Sequence, residues 1–429
     1  MEFAFGILLL LTLIVYMYGL ITGKVDLMVG TLLIAVAWTV IGLIAGTVTL
    51  ENINQQIFHN GPLSWGTAAV IVAFGSFFGR VLVTSGIAAT LIRKTVELGG
   101  DRVALTTVLL CIVTTLIFTS TFGVGAVIAI CSIVVPILLA MGVPKVLAVV
   151  SFCMSVSAGA YMNPAMFSEF KLIFDGIEFD NTYFPFGIAA LLAQLVLLII
   201  FVAFSLRKTG KTSAWAATAA MDPATTNAPW YSLITPVLPV LLTAFLGWQV
   251  IPSFLFSAIY GLFTSKQIRS FRDFSEKIPK LFSEGVIDIA ALLGFLFVLP
   301  MLDEVAVLNT PLLQAVIGNF LPTNPLVIAI AFAILAPLSH FGGPLAAQGC
   351  GIATVTLMVA MGVPVAFLFP VFYVLRLSTS LAVGPNQSWN AWAMMHNKIT
   401  ISEFFKIGFP LSWLCAAVNI LLAYFMFGV

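Results

Sequence analysis

Two stretches of this chain carry one design. Thr119 to Pro144 reads TSTFGVGAVIAICSIVVPILLAMGVP, and Ser339 to Pro364 reads SHFGGPLAAQGCGIATVTLMVAMGVP. Each opens on a short polar, glycine-rich break, runs through one apolar segment and closes on AMGVP. Phe122 and Phe341 lie 219 positions apart, Gly75 and Gly294 also 219, and Ala140 and Ala360 of the two closing motifs 220. That offset in a 429-residue chain predicts two related halves. The breaks constrain the fold most. In hydrocarbon every unpaired backbone group costs several kcal/mol, so a break survives only where protein or a wet cavity satisfies it.

The surroundings are hydrocarbon. Hydrophobic residues make up 61% of the chain and charged residues 8%, against roughly 25% charged in a soluble domain. Apolar runs long enough to cross a bilayer recur from end to end. The expectation is an all-α polytopic membrane protein in the cytoplasmic membrane, with membrane lipids as its neighbours. Ala4–Leu20 lacks a basic n-region and a small-residue cleavage site and reads as a span rather than a signal peptide. A net charge of +1 gives no reason to expect nucleic acid. Cys111, Cys131, Cys153, Cys350 and Cys415 sit in apolar segments without CxxC pairing and read as small core residues. No HExxH, CxxC or acidic cluster points to a metal, and no nucleophile–base pattern points to an enzyme.

Lys and Arg set the orientation. Ala4–Leu20, Leu27–Ala45 and Trp65–Gly79 read as spans, with Lys24 and the Arg80, Arg93, Lys94, Arg102 group inside and 51–62 outside as a connection. Val103–Ala140 with its break at Thr119–Gly125 reads as a re-entrant hairpin, and 146–164 as a span interrupted at SAGAYMNP. Glu169, Asp175, Glu178 and Asp180 form an acidic outer segment, and Phe186–Leu206 returns inside. Residues 207–229 are the linker. After spans at Tyr231–Trp248 and Ile251–Thr264, the basic stretch 266–280 reads as an interfacial helix, Val286–Leu299 as a span and Asp303–Asn324 as outside. A second hairpin, 326–360, enters from outside. A second interrupted span breaks at STSLAVGPNQS, and Ile407–Phe427 ends the chain. The halves, 1–206 and 230–429, then have opposite orientation, the mark of an inverted repeat. Each half contains scaffold spans (1–102 and 230–324) and a hairpin with a broken helix (103–206 and 325–429). The whole has about ten spans, two re-entrant hairpins and two broken helices, with both termini outside.

A helix broken at midplane aims backbone N–H groups at whatever binds there, and opposing carbonyls suit a small cation. Four converging breaks are a carrier's architecture. Candidate substrate residues are Ser120, Thr121, Phe122 and Gly123 at the first tip, and Asn163 and Pro164 in the first broken span. At the second tip they are Ser339, His340, Gly342, Gly343 and Gln348, and in the second broken span Arg376, Asn386 and Gln387. Candidate coupling-ion ligands are Thr119, Ser120, Ser157, Asn163, His340 and Ser378. His340 suits a proton, hydroxyl and carbonyl oxygens suit sodium. Arg80 reads as a topology anchor, and Asp303 and Glu304 as solvated residues at an outer helix end. No buried acid stands out.

The order of three spans, an amphipathic stretch, a hairpin with a small polar tip and a broken span, then the same inverted, resembles the ion transporter superfamily of secondary carriers. Ser85-Gly86 followed by Gly99-Gly100-Asp101-Arg102 is similar to the gluconate permease and citrate-type branches, and KITISEFFKIGFPL (398–411) to the ending of many members. The Ser-Asn-Thr tip motif of the dicarboxylate symporters is replaced by Ser120-Thr121-Phe122-Gly123 and His340-Phe341-Gly342-Gly343. The resemblance implies a homodimer working by an elevator motion, with hairpins and broken spans moving against the scaffold. The expected function is cation-coupled transport of a small organic anion, a carboxylate or sugar acid, with co-transported H+ or Na+ and no other cofactor. Alternatives are a Na+/H+ antiporter of the same superfamily and a membrane subunit serving a soluble binding protein.

Overall fold

The computed structural model describes residues 1–22, 24–171, 173–174, 176–207, 227–318, 321–343, 345–348, 351–385 and 387–428. All regular structure among them is helical. In chain order the helices are α1 (Glu2–Ile21), α2 (Leu27–Ala45), α3 (Asn52–Thr84), α4 (Ile87–Gly99), α5 (Val103–Phe118), α6 (Val124–Ala140), α7 (Lys145–Ala160), α8 (Pro164–Ser168) and α9 (Phe184–Ser205). Then follow α10 (Trp230–Leu246), α11 (Val250–Thr264), α12 (Phe271–Leu308), α13 (Thr310–Ile317), α14 (Pro325–Leu335), α15 (Gly351–Ala360), α16 (Val365–Leu381), α17 (Ser388–His396) and α18 (Ile401–Phe427). Six of these, α1, α2, α3, α9, α12 and α18, are long and apolar enough to cross a bilayer, so the chain is a multi-pass membrane protein.

The element ends follow local chemistry. Asp26 caps α2 by accepting from the Met28 amide at 2.9 Å, and Asn324 caps α14 in the same way. Ser270 with Asp273, and Thr400 with Glu403, close capping boxes at the starts of α12 and α18. The two AMGVP motifs build the same turn: Gly142 and Gly362 take φ of 84° and 85°, a conformation open to glycine and strained for other residues. The interrupted helices α7 and α16 cross where Ser157 donates to the Leu377 carbonyl at 2.5 Å, two positions 220 apart in sequence.

Helices from the two ends of the chain interlock. Helices α1 and α2 pack on α12 and α13, while α11 packs on α3. Leu9, Trp38, Leu302, Val305 and Leu313 form a separate core between α1, α2, α12 and α13. Asn309 ties it, donating to the Trp38 carbonyl at 3.0 Å and accepting from Thr47 at 2.6 Å. The larger core gathers α3 to α9 with α16 and α18.

Several boundaries differ from the sequence reading. Residues 52–60, expected in an outer connection, are a π-helical opening to α3, because Ile57 is fully buried and Gln56 donates to Glu304 at 2.9 Å. The basic stretch 266–280 is not a separate interfacial helix: from Phe271 it is the first part of α12, which runs 38 residues through Pro279 and Pro300. Asp303 and Glu304 accordingly lie half-buried within α12 rather than solvated beyond its end. Linker residues 208–226 and Cys350 lie outside the described residues. The other four cysteines are buried and free.

Candidate functional site

The first tip is built by the gap between α5 and α6. Thr119 turns its hydroxyl back to the Leu116 carbonyl at 2.7 Å, so it holds the end of α5. Gly123 takes φ of 99° to restart the helix at Val124. Its neighbour across the gap is α3, whose Gly75 and Gly79 let the tip approach: a Cβ on Gly79 would stand 2.5 Å from the Phe122 carbonyl oxygen, and one on Gly75 2.9 Å from Ala165. Ser120 and Thr121 are buried, and neither hydroxyl has a partner among the described residues.

Asn163 fastens this tip. Its Nδ2 donates to the carbonyls of Phe118 (3.0 Å) and Thr121 (2.9 Å), while its Oδ1 accepts from the amides of Ala165 (3.0 Å) and Met166 (3.2 Å). Those four bonds use the whole capacity of an amide side chain. Asn163 is thus a cap and clamp with nothing left over for a substrate or ion in this state. Pro164 fills the first position of α8, where its missing N–H is no loss.

Between tip and broken helices lies a small cavity of about 20 Å³, lined by Thr121, Phe122, Gly123, Asn163, Leu381 and Trp389 among others. That volume admits a water-sized group and no organic acid. Trp389, one residue into α17, has an indole N–H that is buried and without a described partner. The sequence reading stopped at Asn386 and Gln387 and missed it. Gln387 is the half-buried residue preceding α17, and Asn386 lies outside the described residues.

The second tip sits on the other side of α16. Ser339 donates to the Ala336 carbonyl at 2.7 Å and bonds the Thr379 hydroxyl. His340 is 6% exposed, with its ring 5.2 Å from Phe405 and 5.8 Å from Phe409, and Nδ1 without a described partner. Gly342 ends the 3₁₀ turn begun at Ala336, and Gly343 follows, donating to the His340 carbonyl at 3.1 Å. A Cβ on Gly343 would collide with the Leu338 carbonyl. Thr379 meets this tip and Leu381 the first cavity, so α16 runs between the two.

Ser157 and Ser378 are engaged with protein. Gln194 donates to Ser157 at 2.8 Å and accepts from Ser378 at 2.7 Å, and Ser378 also bonds the Tyr161 hydroxyl at 2.7 Å. They lock the crossing of α7 and α16. Gln348 donates to Glu169 at 2.7 Å. Arg376 reaches the Ser380 hydroxyl at 3.4 Å, with its Nε buried and unpartnered among the described residues.

Two charged features go beyond the sequence reading. Glu169, read in an acidic outer segment, is 1% exposed, because the chain after α8 folds back into the protein. Arg80, read as a topology anchor, grips Asp288 of α12 through Nε and Nη2, both at 2.5 Å. A Cβ on Gly125 would run into that carboxylate, so the ion pair lies against the first turn of α6, where a negative charge is favoured. One signal was available: an Arg and an Asp, each set in an apolar run, need a partner at depth.

Beyond α8 opens a cleft of about 630 Å³ lined by Thr67, Ile71, Phe167, Ser168, Lys171 and Trp248 among others. Met166 faces the small cavity and Phe167 and Ser168 the cleft, so α8 is the partition between them. Comparison with family models and with curated proteins returned no match.

Proposed function

We propose that the chain is a secondary active transporter moving a small organic anion, a carboxylate or sugar acid, across the cytoplasmic membrane, coupled to H+ or Na+. The observation that carries this reading is the small cavity where the first tip meets both broken helices, lined by Thr121 and Trp389, whose hydroxyl and indole N–H are buried without a described partner. A hydroxyl and an indole N–H beside the start of the 17-residue α6 suit an acceptor-rich ligand.

In this reading the structure is an occluded state. The two related halves form an inverted repeat of about ten spans, two hairpins enter from opposite faces, and both termini lie outside. The glycine-lined seam of α3 against the first tip is the surface along which a moving hairpin unit slides, elevator fashion, in each subunit of a homodimer. The cleft is the route to the site from one side and α8 the barrier.

A thermal-shift screen of the purified protein against organic acids, with and without sodium and at two pH values, tests the proposal. Stabilisation by at least one acid is expected, and stabilisation by none sinks it. The buried Glu169 also favours a second reading, a Na+/H+ antiporter, which predicts sodium-driven proton flux without any organic acid.

A further inference from the structure

The charges the site leaves unexplained are Glu169 and Arg376. Glu169 ends α8, Arg376 belongs to the π-helical part of α16, and Gln348 comes from the second hairpin. Three elements that would have to move together therefore meet at one buried carboxylate. The ring of Phe170, the residue after Glu169, meets that of Tyr373 at 4.9 Å, one helical turn before Arg376 on α16, and Gln348 is the hydrogen-bond partner of Glu169. Lys171, two residues on, is engaged with Glu178 at 2.5 Å. The opposite charges do not touch. Among the described residues no ion pair of 4.0 Å or less joins Arg376 to Glu169. Arg376 has five N–H donors, and among the described residues its bond to Ser380 is long, at 3.4 Å.

We infer that Glu169 and Arg376 form a shared-charge coupling site, in which Glu169 takes a proton when Arg376 takes the carboxylate of the transported anion. This rests on the anion-carrier reading above and names its coupling ion. With Glu169 ionised, the pair is neutral, and a further negative charge at Arg376 is repelled in a poorly screened interior. With Glu169 protonated, the guanidinium is left uncompensated and the anion restores neutrality. The proton comes from bulk water through the cleft, whose wall includes Ser168 and Lys171 on either side of Glu169. It leaves to bulk water after the anion dissociates, and no bond other than that O–H is made or broken. Linkage makes the effect reciprocal: the proton raises anion affinity by the factor by which the anion raises proton affinity. One proton per anion gives about a tenfold loss of affinity per pH unit once Glu169 is ionised.

Infrared difference spectroscopy on the full chain in liposomes tests this without transport. A buried carboxylic-acid carbonyl band should fade as pH rises from acid to alkaline, be absent in Glu169→Gln, and persist to higher pH in Arg376→Gln. Adding succinate, citrate or gluconate near the midpoint should strengthen the band for at least one of them, and for none in Arg376→Gln. Glu169→Asp, which keeps the carboxylate, guards against a variant that misfolds. Absence of a titrating band assignable to Glu169 overturns the inference, and so does a band that none of the three acids changes. Carboxylate uptake that is pH-independent and survives Glu169→Gln would keep the carrier reading while discarding this one.

Discussion

Replacing Asn163 separates what holds the first tip from what binds there. Asn163→Ala deletes four buried bonds at once. Loss of the cap on α8 costs about 1 kcal/mol. The buried carbonyls of Phe118 and Thr121, deprived of their donor, cost about 1–3 kcal/mol each. The sum is about 3–7 kcal/mol, toward the lower end if water enters the space. Asn163→Asp discriminates: its oxygens still accept from Ala165 and Met166, but an oxygen replaces the amide donor and faces two carbonyls. The aspartate should therefore be no more stable than the alanine, although it keeps the cap. Thermal unfolding of the three proteins in one detergent, followed by tryptophan fluorescence, measures the order. An aspartate variant as stable as the parent would refute the clamp and leave Asn163 as a cap alone.

Three further outcomes follow from the same geometry. Asp288→Asn or Arg80→Gln should each destabilise by about 1–3 kcal/mol, since the side chains are 10% and 28% exposed rather than fully buried. An Arg80→Leu/Asp288→Leu double variant should recover most of that loss, and a double-mutant cycle checks it. Thr121→Val and Trp389→Phe remove groups with no described protein partner, so they should leave the unfolding temperature nearly unchanged. They should weaken anion binding about tenfold, as a lost buried hydrogen bond does, by titration of an acid found in the screen. His340→Phe should keep the pH profile of uptake, because the ring packs against Phe405 and Phe409 and the proton is assigned to Glu169. A flattened profile would return the coupling role to His340.

Membrane residence and the positions of the breaks were legible in the sequence for a simple reason. An apolar run announces a helix in hydrocarbon, and Gly, Pro and Ser/Thr clusters mark where it must stop. Hence the ends at Phe118 and Ala140 and the restart at Lys145 fell close to expectation. Helicity of polar segments was not legible. NINQQIFHN reads as a loop until Glu304, 248 residues away, supplies a partner for Gln56. Pro279 and Pro300 failed to end α12, since neighbouring helices sustain a helix that proline alone would interrupt. Within the site, Thr121, Phe122, Gly123 and Asn163 could be grouped because each sits at a visible break. Glu169 and Trp389 could not, because the depth of a side chain depends on distant partners.

Uptake by the purified chain alone in liposomes tests the central claim most directly. An organic acid that stabilises the protein should accumulate inside against its own gradient when a proton gradient is imposed, and accumulation should collapse when a protonophore dissipates that gradient. It should proceed with no soluble binding protein present. Sodium–proton exchange with no movement of any acid, or uptake that requires an added binding protein, would contradict the account.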